Sequence, residues 1–176
     1  VIVRWVLTIG GLLGLAAASA LTIEKIAVLK DPGHVPSCSI DPILSCGSVM
    51  RTAQAEGFGF PNPLLGIAGF AVVTTVGVVL LAGAVLPRWF WLGLQGGVTL
   101  GVVFVHWLIY QSLYVIGALC PYCMVVWVVT IPVFWYTTLH VTRWPLLVKY
   151  HGVFLTLWFV VIGLAVLQAF WSYWIS

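Results

Sequence analysis

The residues able to do chemistry in this sequence are four cysteines, Cys38, Cys46, Cys120 and Cys123. Cys120-Pro121-Tyr122-Cys123 is the sharper pair. Proline suits the first position of a helix, which leaves Cys120 at or near the cap. There the unpaired amides and the helix dipole favour a thiolate, so Cys120 is the expected attackable sulfur in thiol–disulfide exchange. Cys123, one turn deeper, faces whatever occupies the interior. Each pair alone has plainer readings. The CxxC cysteines are compatible with two small buried hydrophobes, and all four thiols with a zinc site, although the spacing from Cys38 to Cys46 is wide for a zinc knuckle. A haem attachment site needs His after the second cysteine, and Met124 stands there. As a combination, a loop dithiol and a helix-start dithiol have the makings of an electron relay. The loop pair meets a soluble partner and passes electrons by exchange to the embedded pair. The embedded pair then requires an oxidant that lives in the bilayer, which points to a quinone.

The element that must position these thiols is a membrane bundle. Of the residues, 62% are apolar and 6% charged, against about 25% charged in soluble domains. That composition excludes a water-facing globular surface, and it excludes disorder, which needs low hydrophobicity and high charge. A spanning helix takes about 20 apolar residues. The uncharged stretches and their Gly/Pro breaks predict five passes, at about 5–28, 63–86, 89–116, 121–141 and 150–174, with a loop over about 30–62. The expected fold class is an all-α integral membrane helical bundle, with residues 1–176 forming one membrane domain. In the loop, Asp41-Pro42 reads as a helix start, and Ile43, Cys46, Met50 and Ala53 recur at helical spacing. They predict a short amphipathic helix on top of the bundle, or a helix that merely plugs the loop onto it.

Two passes separate the cysteine pairs, so all four thiols face one membrane surface whichever way the chain is inserted. All four acids fall between Glu24 and Glu56, on that same surface, with Lys25, Lys30 and Arg51. Arg4, Arg88, Arg143 and Lys149 fall on the other surface without acids. The Lys/Arg distribution puts the amino terminus and the short loops in the cytosol and the thiols outside, where disulfides persist. No basic cluster suggests nucleic acid. His106 lies inside the third pass, where an ionisable residue is a functional candidate by default; a neutral packing role is the competing reading. Trp5, Trp89, Trp91, Trp144, Trp171 and Trp174 lie near predicted helix ends, as an aromatic belt would. Gly10, Gly14, Gly93 and Gly97 form small-xxx-small pairs that favour close helix packing.

The run Cys38-Ser-Ile-Asp-Pro-Ile-Leu-Ser-Cys46-Gly-Ser-Val-Met50, then Phe58-Gly-Phe-Pro-Asn62-Pro-Leu-Leu-Gly66, then Cys120-Pro-Tyr-Cys123, resembles the vitamin K epoxide reductase family in order and spacing. The fifth pass is similar to bacterial members, in which disulfide formation in secreted proteins is coupled to quinone reduction. The resemblance implies a role for each thiol. Cys38 is similar to the outer shuttle cysteine that exchanges with a partner, and Cys46 to the inner one that bridges transiently to Cys120. Cys123 matches the thiol that reacts with the quinone. It also implies a quinone site drawn from Met50, Thr52, Asn62 and Trp127. Thr52 falls where the family typically has a serine, and Asn62 matches an asparagine that hydrogen-bonds a quinone oxygen. Trp127 stands where vertebrate members carry tyrosine; its indole N–H donates but does not replace a phenol.

The implied cofactor is a membrane quinone, menaquinone or ubiquinone, as electron acceptor, with no metal. The implied partner is a thioredoxin-like oxidoreductase of the DsbA type, expected as a separate protein where many bacterial relatives carry it as a fused domain. The expected location is a bacterial cytoplasmic membrane, with the cysteines on the extracytoplasmic face. Two alternatives stand beside this reading: vitamin K epoxide or quinone reduction as the main activity, and a non-catalytic scaffold stapled by its disulfides. The four-helix disulfide-bond enzymes carry their CxxC in the first outer loop and the second pair in the next, and this chain has the reverse order.

Overall fold

The computed structural model describes residues 2–171 apart from Pro32, Pro42 and Phe58. Among these, five helices are long and apolar enough to cross a membrane. Helix α1 (Ile2–Lys30) has 29 residues and is about 43 Å long at 1.5 Å per residue. That exceeds the hydrocarbon core of about 30 Å, so its last turns, which carry Glu24, Lys25 and Lys30, extend toward the polar loop. After the loop come α2 (Cys46–Met50) and a 3-10 turn (Ala53–Glu56). Helix α3 (Pro63–Leu81) starts on its own proline and ends before Gly83, whose φ of 90° turns the chain. Helix α4 (Arg88–Tyr110) continues as a π-helical stretch (Gln111–Ile116), stopped by Gly117 at φ 68°. Helix α5 (Pro121–Thr142) leads through α6 (Pro145–Lys149) to α7 (His151–Ala169).

Helix α1 is the centre post, packed on α3 and α5, and α4 packs on α5. The core is aliphatic, with Leu7 and Val133 at its middle and Trp91 closing one end. Close approach of α1 and α3 depends on missing side chains. A Cβ on Gly11 would lie 2.5 Å from Thr74 Oγ1, one on Gly77 would lie 2.5 Å from Thr8 N, and Gly14 is met by the ring of Phe70. Helix α7 has no buried residue among those described and rides on the outside. It is fastened by polar groups: Trp158 Nε1 donates to His106 Nε2 at 2.9 Å, and Trp135 Nε1 donates to the His151 carbonyl at 3.2 Å. His106 Nδ1 is 2.7 Å from the Val102 carbonyl. That network assigns a neutral ring, Nδ1–H donating and Nε2 accepting, so His106 is a brace for α7.

Four sequence expectations change. The loop helix does not start at Asp41: Ser45 caps it, and Asp41 Oδ1 accepts from the Ile43 amide at 3.4 Å instead. The cause is that Leu44 bridges to Leu119, in the chain before α5, and Ser45 is held extended; Pro42 lies outside the described residues. The second pass ends at Leu81 rather than near residue 86. Trp91 is buried against the His140 ring, with centroids 3.9 Å apart, so it does not belong to the belt; Trp174 lies outside the described residues. Gly10 and Gly14 do meet neighbouring helices, but Gly93 and Gly97 have nothing within 4 Å of where a Cβ would sit.

This contrast is testable by thermal unfolding in detergent. Gly11→Ala and Gly77→Ala should each destabilise by about 1–3 kcal/mol through overpacking. Gly93→Ala should be neutral or gain up to about 1 kcal/mol from helix propensity. Equal losses at all three would contradict the close α1–α3 seam.

Candidate active site

Cys38 and Cys46 form a disulfide, with Cα atoms 5.6 Å apart. Cys46 opens α2, whose first turn is capped by Ser45 Oγ accepting from the Ser48 amide at 3.2 Å. The strand of chain before it is spliced to the chain before α5. Leu119 N donates to the Ile43 carbonyl at 2.7 Å, and Ser45 N donates to the Leu119 carbonyl at 2.9 Å, a parallel bridge centred on Leu44 and Leu119. That register sets Cys46 beside Cys120, with the two Sγ atoms 2.9 Å apart. The sulfurs of Cys38, Cys46 and Cys120 lie within 4.8 Å of one another. A disulfide offers no thiolate, so in this state the three sulfurs do not make a zinc donor set.

Cys120 is the extended N-cap of α5, ahead of Pro121 at the first helical position, and Cys120 and Cys123 are both free thiols. The Cys123 thiol donates to Cys120 and holds its pKa below the ordinary thiol value. Burial works against this, and the amides of Cys123 and Tyr122 at the start of α5 add to the lowering. Cys120 therefore has the character expected of an attacking or leaving sulfur at the junction of the two pairs.

Behind the thiols lies an apolar cavity of about 630 Å³. Cys120, Cys123, Met50, Asn62 and Trp127 line it at the thiol end, and Trp89 and Phe90 line the far end. Lining residues on α4 run from Trp89 to Leu108, about 28 Å of helix. The space exists because α3 and α4, although joined by a short loop, do not pack on each other as α1 packs on α3 and α4 on α5. Gly69, Gly93 and Gly97 face it, and none has an atom within 4 Å of a built Cβ.

The polar groups around the cavity are few. Trp127 is buried, and its Nε1–H has no hydrogen-bond partner among the described residues. Asn62 holds the loop together: its Nδ2 donates to the Gln54 carbonyl at 2.7 Å, and its Oδ1 accepts from the Gly57 amide at 3.1 Å. One amide hydrogen of Asn62 remains beyond the bond to Gln54. Thr52 is not among the residues lining the cavity; its hydroxyl donates to the Val49 carbonyl at 2.7 Å. The structure thus gathers all four cysteines, Met50, Asn62 and Trp127 at one end of the bundle and leaves Thr52 in the adjoining loop.

Two residues near this site stand outside every motif in the sequence. Lys25 is 6% exposed and reaches from α1 to the Met50 carbonyl, and its neighbour Glu24 holds Ser37, next to Cys38. The signal for Lys25 is its type, an ionisable side chain within a spanning helix; its partners are separated too far in sequence to be read there. The Leu44–Leu119 bridge has no sequence signal at all, since backbone pairing leaves none in isolated leucines.

A search of curated proteins returns no match. The profile of the vitamin K epoxide reductase family matches residues 5–138, from the first pass through most of α5 and across all four cysteines. The chain is therefore a member of the vitamin K epoxide reductase family, a family of membrane oxidoreductases.

Proposed function

We propose that this protein is a membrane thiol–quinone oxidoreductase that reoxidises a separate thioredoxin-like partner and supports disulfide formation in exported proteins. In this reading the thiols face the outside of a bacterial cytoplasmic membrane. The observation that carries it is continuity: a disulfide sulfur lies 2.9 Å from Cys120, and Cys120 and Cys123 line an apolar cavity running along the α3–α4 gap.

Two electrons and two protons move in each cycle. The partner dithiol becomes a disulfide as it reduces Cys38–Cys46 to a dithiol. Cys46 thiolate then attacks Cys120 of an oxidised Cys120–Cys123 pair, forming a Cys46–Cys120 bond and releasing Cys123 thiolate. Cys38 attacks Cys46, re-forming Cys38–Cys46 and freeing Cys120. The result is the state seen here, with the shuttle pair oxidised and the inner pair reduced. A bound quinone takes up the two electrons and two protons to become a quinol, and Cys120–Cys123 returns to a disulfide. The residues prepare that transfer. Cys123 meets the cavity, and the idle Trp127 N–H and the second Asn62 amide hydrogen are donors for a quinone oxygen. The glycines of α3 and α4 leave room for a polyprenyl tail, which favours menaquinone or ubiquinone over a short quinone. Thr52, the other donor named by family resemblance, acts in this reading only after leaving Val49.

Three outcomes are expected. First, Cys123→Ser keeps one disulfide among its three remaining cysteines, so attack of Cys120 thiolate on Cys46 with release of Cys38 thiolate should accumulate a Cys46–Cys120 bridge by mass spectrometry without a reductant, and quinone consumption followed by absorbance should require all four cysteines. Native Cys38–Cys46 pairing left unchanged would instead support a structural staple. Second, Trp127→Phe should raise the quinone KM about tenfold, as loss of one buried hydrogen bond of ~1.4 kcal/mol would. Its thermal stability should fall by no more than the lost ring volume accounts for, since the indole N–H has no partner among the described residues to strand. Third, with Cys38 and Cys46 changed to Ser, Cys120 titrates alone in Cys123→Ser and Cys123→Ala. A lowered thiol pKa means thiolate at lower pH, so the thiolate absorbance should rise at a lower pH in the Ser variant, which keeps a donor, than in the Ala variant. Identical titrations would remove Cys123 as the cause.

A further inference from the structure

The Cys38–Cys46 disulfide is closed to solvent: Cys38 is 6% exposed and Cys46 fully buried. A protein thiol therefore reaches Cys38 only if part of the loop moves, and Cys46 must meanwhile stay beside Cys120. The two flanks of the disulfide are held in different ways, by consecutive residues of α1. On the Cys46 side, the Lys25 ammonium donates to the carbonyl of Met50, the last residue of α2, at 2.7 Å and pairs with Glu56 Oε1 at 2.8 Å. Glu56 ends the 3-10 turn that Asn62 closes from beyond, its own amide donating to the Ala55 carbonyl at 3.0 Å. Lys25 thus ties the segment from Cys46 to Asn62 to the centre post, through contacts shielded from water on the lysine side. On the Cys38 side, Glu24 accepts from the Ser37 hydroxyl and, at 3.3 Å, from the Ser37 amide, and it meets His34 Nε2 at 3.1 Å. Arg51 adds a bond to the His34 carbonyl at 3.2 Å. These contacts are exposed or only partly buried, where ionic bonds are weak and readily exchanged for water.

We propose that Glu24 and Lys25 divide the thiol loop into a releasable half and a fixed half. Glu24 is the latch that opens to let a partner thiol reach Cys38, and Lys25 is the positioning residue that keeps Cys46 against Cys120 while it does. This division rests on the relay described above, because a static staple has no use for a flank that opens.

The test uses the full chain in detergent and follows two reactions that need no quinone. One is the rate at which dithiothreitol reduces Cys38–Cys46; the other is the yield of the Cys46–Cys120 bridge in the Cys123→Ser background. Glu24→Gln should speed reduction by about fivefold or more and leave the bridge yield intact, whereas Lys25→Met should cut the bridge yield about tenfold, as expected for lost charge-assisted bonds. Lys25→Arg, which keeps the charge and donors, should recover most of that yield. Two results would overturn the division: Glu24→Gln reducing at the wild-type rate, or Lys25→Met bridging as well as its parent. If Lys25→Met does not fold, Glu56→Ala, which leaves Lys25 the Met50 carbonyl as its partner among the described residues, takes its place. It should lower the bridge yield by a smaller factor, and an undiminished yield would count against the proposal. A chain that bridges as expected but consumes no quinone fails the proposed function and not this division of the loop.

Discussion

Two backbone hydrogen bonds carry the geometry of the site. The Ile43 and Leu119 carbonyls each accept from the other segment, and between them they fix where Cys46 meets Cys120. Each cysteine begins a helix, and the bridge joins the two segments just before those helices start. A slip of one residue in that pairing would turn alternate side chains to the opposite face, separating the sulfurs. The rest of the thiol end is arranged around this splice: Ser45 caps α2, Lys25 holds the last residue of α2, and Asn62 ties the loop as it enters α3.

The bundle beneath is deliberately uneven. Glycines at the α1–α3 seam bring two helices so close that added methyl groups would collide, while glycines on α3 and α4 facing the cavity border empty space. The same residue type therefore serves packing on one side and vacancy on the other. Dense contact on α1 leaves that helix rigid, and its last turn can then act as a fixed support for the loop. The open α3–α4 side costs dispersion contacts, and the cavity there reaches the two inner thiols.

Much of this is legible in the amino-acid sequence, and the reasons are physical. Five uncharged stretches bounded by Gly, Pro and charge predict the five spans because lipid leaves no alternative to helix. The parity of the spans brings the cysteines to one face, and Pro121 places Cys120 at a cap. Three things are not legible. Asp41-Pro42 looks like a helix start, yet pairing with Leu119 overrides that local preference. Gly93 and Gly97 share the spacing of Gly10 and Gly14, yet spacing does not say whether a neighbour is present. Lys25 meets Met50 and Glu56 only because the loop folds back, and no pattern along the chain records that return.

The placement of the thiols at one end of five spans has an energetic consequence. Cys38, Cys46 and Cys120 lie within 4.8 Å of one another, and Cys123 is one helical turn away. In the proposed relay the electrons pass between sulfurs gathered at one end of the spans and need not cross the thickness of the bilayer. If the protons follow from the same side, no net charge moves through the transmembrane field, which is worth about 2.3 kcal/mol per elementary charge per 100 mV. Such a cycle neither draws on the membrane potential nor builds it, and it would run equally well in an energised and a depolarised cell.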